Sequence, residues 1–425
     1  MPDIIEFFEP TAAAGQGVNR AGGGPYRDAV QKFLTPHVGA VNELTARWCA
    51  VAGDDDFVVS GAGVWPLLAL LAAAADGPAR SELEAAVGVS ADAAHAAALR
   101  TLDILADAVD VSATLGIWIR RDLPLHDDWL HALPTGTVDL LTGQAALDEW
   151  TRRHTGGLID RFPVPVTSET LLVLATALAA KTSWRVPFHD TVMVPEAGPW
   201  QGLRLAALAR ADNDPTDVAV LDGPRPVTRV LVTGRADVDV HLLVGSDSPA
   251  DVLAVGSAAL GGLVPYRTGL DAGPVAPGLT MRQEFGFAQR DTLHVRLPPF
   301  AIRSKHDLIA RAELFGLRAA TDAGRGHFPR ISPVPLSIEQ GAQDVLAEFT
   351  RDGFEATAVT ALMAAPGAAP ASPSRRHTTV LEVTFDRPFG FLAVHRPTGL
   401  AVAAGWVANP SEAPSPALAP PLPVR

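Results

Sequence analysis

Cysteine is almost missing from this 425-residue sequence: Cys49 stands alone, so no intrachain disulfide can form and the fold must be stable without one. Charge is sparse as well. Only 19% of residues are charged while 48% are hydrophobic, the balance of a packed globular chain and not of a disordered one. No sizeable basic patch occurs, and with a net charge of −13 neither nucleic acid nor an anionic membrane surface is an expected partner. A secretory leader is not evident either. The opening "MPDIIEFFEP" carries Asp3, Glu6 and Glu9 where basic residues and then an apolar run would stand, which on sequence points to a cytoplasmic protein. The chain also lacks a G-x-S-x-G elbow, an H-E-x-x-H pair and a P-loop, so no catalytic, metal or cofactor residues are expected and the chain does not read as an enzyme.

The longest uncharged run, "FVVSGAGVWPLLALLAAAA" at 57–75, is long enough to span a membrane. Gly61, Gly63 and Pro66 divide it instead into a short strand, a turn and a buried helix starting near Pro66. Residues 1–24 read as poorly ordered, a helix is expected over about 27–51, and Ser81 and Glu84 form a capping box at the head of the next helix. "VSATLGIWIRRD" at 111–122 alternates like a strand, and "LDEWTRRHTGGLID" at 147–160 reads as a helix stopped by Gly156 and Gly157. "TLLVLATALAAKTSW" at 170–184 suits a strand buried on both faces. Short strands follow from about 185, interrupted by one helix at 306–317, and "GSDSP" at 245–249 reads as a turn. His126 and His306 sit beside aspartates in segments that read as solvated turns and helix caps. The plan is α+β, helices first and sheets afterwards.

Near the C-terminus "RDGFEATAVTA" at 351–361, strand-compatible and small, runs into "LMAAPGAAPASPSRRH", which has no hydrophobic period. As a linker that second stretch would leave residues 378 to about 410 as a separate unit too small to hold itself together. It is better read as a long exposed loop within one domain over 25–410, followed by a Pro/Ala-rich tail at 411–425. In an extended arm Phe354, Ala356, Ala358 and Thr360 share one face and Glu355, Thr357 and Val359 the other.

At these residues the chain resembles the serpins, the serine-protease-inhibitor superfamily. The segment at 57–88 resembles the family's Ser-Pro-Leu-Ser strand and following helix, and Lys181, Trp184, Pro187 and Phe188 match its Lys-x-x-Trp-x-x-Pro-Phe signature. "LHVRLPPFAIRSKHDLIARAELFGL", "DRPFGFLAV" and "GWVANP" resemble its later strands, all in family order. The resemblance implies a single domain of helices and three β-sheets with a reactive-centre loop at about 351–377. A target serine protease, or a cysteine protease, attacks that loop, and the cut arm enters the central sheet while the protease stays bound as an acyl-enzyme.

Residue by residue, the resemblance assigns the hinge to Gly353, Phe354, Glu355, Ala356, Thr357 and Ala358. The breach and shutter of the central sheet fall to Lys181, Trp184, Ser60, Thr176 and Gln343. Arg351 stands where an acid is usual, Phe354 where Ser or Thr is, Gly63 for a second serine, Thr176 for Asn and Gln343 for His. Counting from Gly353 puts the scissile bond at Gly367–Ala368, and counting back from Pro388 puts it at Arg376–His377. The first would suit a protease preferring small residues, the second a trypsin-like one. The family also implies a monomer and an extracellular setting. The alternative is a non-inhibitory serpin-fold binding protein whose loop is a plain protease substrate.

Overall fold

The computed structural model describes residues 35–157, 159–212, 214–286, 290–354 and 375–413. Residues 1–34, the arm and loop at 355–374 and the tail at 414–425, with the expectations made for them, lie outside the described residues. The first half of the chain runs α1 (Pro36–Cys49), β1 (Phe57–Val59), α2 (Gly61–Ala74), α3 (Gly77–Val87), α4 (Ala91–Asp107), β2 (Val111–Ile119), α5 (Asp127–His131), β3 (Val138–Leu140), α6 (Gln144–His154), β4 (Leu172–Ala180) and β5 (Thr182–Ser183). Next come β6 (His189–Met193), β7 (Leu205–Asp212), β8 (Val218–Asp222), β9 (Pro226–Val232), β10 (Val238–Val244), α7 (Pro249–Leu260), β11 (Tyr266–Thr268), β12 (Val275–Ala276), β13 (Leu279–Gly286) and β14 (Thr292–Leu297). The last part holds β15 (Phe300–Asp307), α8 (Ala312–Phe315), β16 (Ala342–Phe349), β17 (Gly353–Phe354), β18 (Arg376–Thr384), β19 (Phe389–His395) and β20 (Leu400–Val407).

Local chemistry explains where several elements differ from expectation. The helix of the apolar run starts at Gly61 with no intervening turn, because Ser60 Oγ accepts a hydrogen bond from Gly63 N at 3.1 Å and caps it. Pro66 therefore lies inside α2 and does not open it. In α3 the capping carboxylate is Asp76, which accepts from Gly77 N; Ser81 lies within the helix, and Glu84 reaches forward to Ala91 N at 2.7 Å. The stretch 306–317 is a strand end, a 3-10 turn at Ile309–Arg311 and the short α8, closed by Gly316 at φ 67°. "GSDSP" ends in the cap of α7, with Ser248 Oγ accepting from Asp251 N, so a second helix interrupts the later strands.

The strands form a seven-stranded sheet ordered β1-β20-β19-β10-β9-β8-β11, a six-stranded sheet ordered β12-β13-β18-β14-β7-β6, and groups of four (β15-β16-β17-β5) and three (β3-β2-β4). The last two are halves of one central sheet, since β4 continues into β5 across Lys181. Among the described residues the strands thus make three sheets, one of them parted. The core fills the space between the seven-stranded sheet, α1, α2 and the central sheet, with Trp48, Trp65 and Trp184 fully buried.

Cys49 closes α1 at 2% exposure, and burial pushes its thiol up to about 12. No described helix is long and apolar enough to cross a membrane.

Candidate functional site

The central sheet is closed at one end and open along the rest. At the closed end β17 sits between two strands, with Phe354 opposite Phe349 on β16 and Thr182 on β5, and Gly353 opposite Ser183. A glycine is required there: a Cβ on Gly353 would come within 2.3 Å of the Thr182 carbonyl oxygen. Below that point β4 and β16 have no pairing with each other. Between them lies a cavity of about 450 Å³, lined by Leu67 and Leu71 of α2, Leu174 and Thr176 of β4, and Gln343 and Val345 of β16. This gap explains why β4 is half-buried along most of its length and not buried on both faces as its composition suggested.

Aromatic packing holds the closed end. Trp184 is fully buried, its ring 4.7 Å from that of Phe349, and its Nε1 donates to Thr350 O at 2.9 Å. Its backbone N donates to Asp352 O at 3.0 Å, and Phe188 N to Arg351 O at 2.8 Å, so the segment 184–188 grips the chain just before β17. Phe354 is 3% exposed and turns inward, 6.1 Å from the Phe391 ring. Arg351 is not left without a counter-charge: its Nη1 meets Asp190 at 3.1 Å and its Nε meets Asp352 at 3.1 Å. Lys181 is exposed, and its backbone N donates to Asp110 O at 2.7 Å.

Halfway down the gap, hydrogen bonds link its two sides to β1 and α2. Gln343 grips the backbone of Ser60 twice, Nε2 donating to Ser60 O at 2.8 Å and Oε1 accepting from Ser60 N at 3.1 Å. Ser60 Oγ donates to Val402 O at 2.6 Å, and Thr176 Oγ1 donates to Gly63 O. Ser60, Thr176 and Gln343, far apart in sequence, therefore meet at mid-height of the gap. Gly63 and Gln343 belong together, because a Cβ at 63 would stand 3.0 Å from Gln343 Nε2.

One residue of this cluster was missed in the sequence. His306 lies on β15 opposite Gln343, half-buried, with Nε2 2.7 Å from Val58 O and its ring edge-on to Trp48. It is no turn or cap residue. Burial lowers its pKa, although the bond to Val58 opposes the shift. The signal that could have found it is the alternation of "FAIRSKHD", which puts His306 on the same face as Ile302 and Phe300.

Outside the gap, α6 and the chain after it form a cover. Phe162 N donates to Asp148 Oδ1 at 2.9 Å and Val166 N to Gln144 Oε1 at 2.8 Å, so two α6 side chains pin the segment over the cavity. Gln144 Nε2 also bonds Asp148 and, as the leading cause, holds that carboxyl below its ordinary range.

Arg376 and His377, one candidate scissile pair, begin β18 opposite Gly286 and Phe285, with the His377 ring 4.8 Å from Phe285. Glu355, Ala356, Thr357, Ala358, Gly367 and Ala368 lie outside the described residues. Residues 411–413, expected as the start of the tail, run beside 204–206, with Ala206 N donating to Ser411 O and Ala413 N to Arg204 O. Among the described residues no group of three or more His, Cys, Asp or Glu could hold a metal ion.

Comparison with known proteins bears on this geometry. The profile described as Serpin (serine protease inhibitor) matches residues 42–196 and 279–410. Plasminogen activator inhibitor 1 of Sus scrofa is 24% identical over 379 residues, covering 84% of this chain and 87% of that protein. The Neovison vison protein of the same name is 24% identical over 380 residues, 84% and 88% of the two chains. Among solved structures, thyroxine-binding globulin in complex with thyroxine superposes with a TM-score of 0.63 at 14% identity, over 88% of this chain and 99% of that one. A serpin from the trematode Schistosoma haematobium gives 0.61 at 13%, with the same coverage.

Proposed function

The chain belongs to the serpin family, and from that premise we propose that it inhibits a serine protease by offering its loop as a substrate and inserting the cut arm into the gap of the central sheet. The observation that carries this reading is the gap itself, capped by β17 in antiparallel register with both neighbours. Continuing those two registers one for one sets Ala358 opposite Val345 and Leu178, and Thr360 opposite Gln343 and Thr176. Phe354 faces inward, so Ala356, Ala358, Thr360, Leu362 and Ala364 would follow it into the cavity. All but Leu362 are small, which suits a space bounded by leucines. Each new backbone hydrogen bond adds about 1 kcal/mol net, and a strand bonded along both edges adds enough to deform what it drags.

The register also favours one scissile bond. Arg376 and His377 are held in the β18 ladder, whereas a protease needs the residues around its target bond free to extend along its own cleft. Extending these registers, β16 could pair the arm as far as residue 361 and β4 as far as 364, and Gly367–Ala368 comes three residues beyond that last position. The reading is therefore cleavage at Gly367–Ala368 by a protease that accepts small residues. The protein's own groups supply no acid, base or nucleophile; they supply a place for the arm to go.

The test is incubation with elastase-like and trypsin-like serine proteases, followed by denaturing electrophoresis and mass spectrometry of the released peptide. A covalent band resistant to SDS, with a fragment starting at Ala368 and a raised melting temperature of the cut protein, is expected. Cleavage with neither the band nor the rise would overturn inhibition and leave the fold as that of a binding protein with a cuttable loop.

A further inference from the structure

The six-stranded sheet ends on one side in β12 and on the other in β6. β12 covers β13 only at Leu279 and Thr280, through Ala276 and Val275. From Met281 to Gly286, β13 is paired with β18 on one flank, and among the described residues no strand pairs the other. Arg282, Gln283, Glu284 and Phe285 are all exposed, Phe285 at 60%, and Val275 beside them is 79% exposed. A strand edge left open in this way presents free N–H and C=O groups and is a template for one more strand.

The residues along the edge decide which strand fits. Two copies of one edge pair antiparallel about a two-fold axis normal to the sheet. Residues set opposite each other must share a face, so the axis passes beside a residue and not between two. Centred on Arg282 it would set arginine against arginine, and centred on Glu284 glutamate against glutamate. Centred on Gln283 it sets Arg282 against the second copy's Glu284 in both directions, and Met281 against Phe285. Opposite charges and apolar pairs directly across a ladder are the combinations that stabilise it. The strand at the far end of the same sheet offers no such match: "HDTVM" of β6, paired with itself about Thr191, puts Asp190 against Val192.

We propose that the open edge of β13 joins two copies of this chain in a symmetric dimer, with residues 281–285 of each as the seam, in departure from the monomer that the family resemblance implies. On its own chain Arg282 contacts Glu284 and, at 2.9 Å, Glu382, so the edge carries more carboxylates than cations and a second guanidinium has a place to go. Beyond the seam Val275 occupies the position opposite Thr280, and there the arriving strand has reached Gly286, whose backbone can turn aside. So short a seam buries less surface than a stable interface needs, and the dimer is reversible and concentration-dependent. It lies in a different sheet from β4 and β16 and does not rest on the insertion reading.

The test is sedimentation of the full chain over a wide range of concentration, with Arg282→Glu, Glu284→Arg and the two combined. Both positions are exposed, so circular dichroism and cleavage of the loop should match wild type. Wild type is expected to dimerise as concentration rises, and less so at high salt. Each single reversal sets like charges across the seam twice and should weaken self-association about tenfold or more. The combined variant should dimerise as wild type does. The two single variants, mixed in equal amounts, should form a heterodimer at concentrations where neither dimerises alone, because glutamates at both positions of one copy then face arginines at both positions of the other. A wild type that stays monomeric at every concentration overturns the proposal and leaves the edge to a strand of another protein. Dimers that ignore both single reversals put the contact elsewhere and overturn it too, as does a mixture in which the two variants do not associate.

Discussion

The two halves of the central sheet are made of different material. Its closed end is a stack of large rings, Trp184, Phe349, Phe188, Phe300 and Phe391, whose centroids lie 4.7 to 5.6 Å apart. Its open half is edged by leucines, alanines and threonine, with polar side chains tying it to β1 and α2 at mid-height through Ser60, Thr176 and Gln343. Aromatic packing resists parting because every atom displaced loses many contacts at once. A few hydrogen bonds to backbone can be exchanged for others as a new strand arrives. The sheet is therefore fixed where the arm starts and accommodating where the proposed insertion would carry it.

The largest effect expected from attacking this contrast is at the arm. Thr360→Arg would carry a charge into the leucine-lined gap, where an unpaired ion costs several kcal/mol. Such a protein should be cut as fast as wild type yet leave no SDS-resistant band. Next comes the closed end itself: Trp184→Ala empties a fully buried site and should lower the stability of the uncut protein by about 3–5 kcal/mol, read from the denaturant midpoint.

At mid-height, Gln343→Ala strands the Ser60 backbone groups and should cost about 1–3 kcal/mol by the same measure. A smaller effect is expected from pH. His306 and the fully buried His241 both have pKa values lowered by burial from 6.5, so the unfolded chain takes up protons there before the folded one. Their contribution is complete above that value and is lost as pH falls through it. Denaturant midpoints should drop between pH 7.5 and pH 5.5, and His306→Gln should flatten part of that slope. Least of all, Arg351→Ala should leave the melting temperature unchanged, because its two ion pairs are exposed to solvent.

Much of this was legible in the sequence because it rests on periodicity and on signatures read in order. The strands at 111–119, 172–180 and 292–297 follow from their composition, and Ser60, Thr176 and Gln343, singled out on the family pattern, lie together at mid-height of the gap. What escaped depended on competition between equivalent local choices. Asp76, not Ser81, caps α3, since a carboxylate just ahead of Gly77 and Pro78 meets the first free N–H. Pro66 is the sixth residue of α2, so the helix runs through it without the bond that an N–H there would give to the Ala62 carbonyl. The strand β13 was not foreseen, for its exposed "MRQE" shows no alternation of apolar and polar residues; pairing with β18, and not burial, makes it a strand. The gap between β4 and β16 is a relation between segments far apart in sequence, which no window of residues contains.

The lone thiol described at the end of α1 has a practical meaning. Buried and held protonated, Cys49 is silent toward alkylating reagents as long as the core is closed, and no other thiol competes with it. Its labelling rate is then a built-in clock for opening of the whole molecule, running alongside any measurement on the loop. A loop that moves while the clock stands still has moved without the body coming apart.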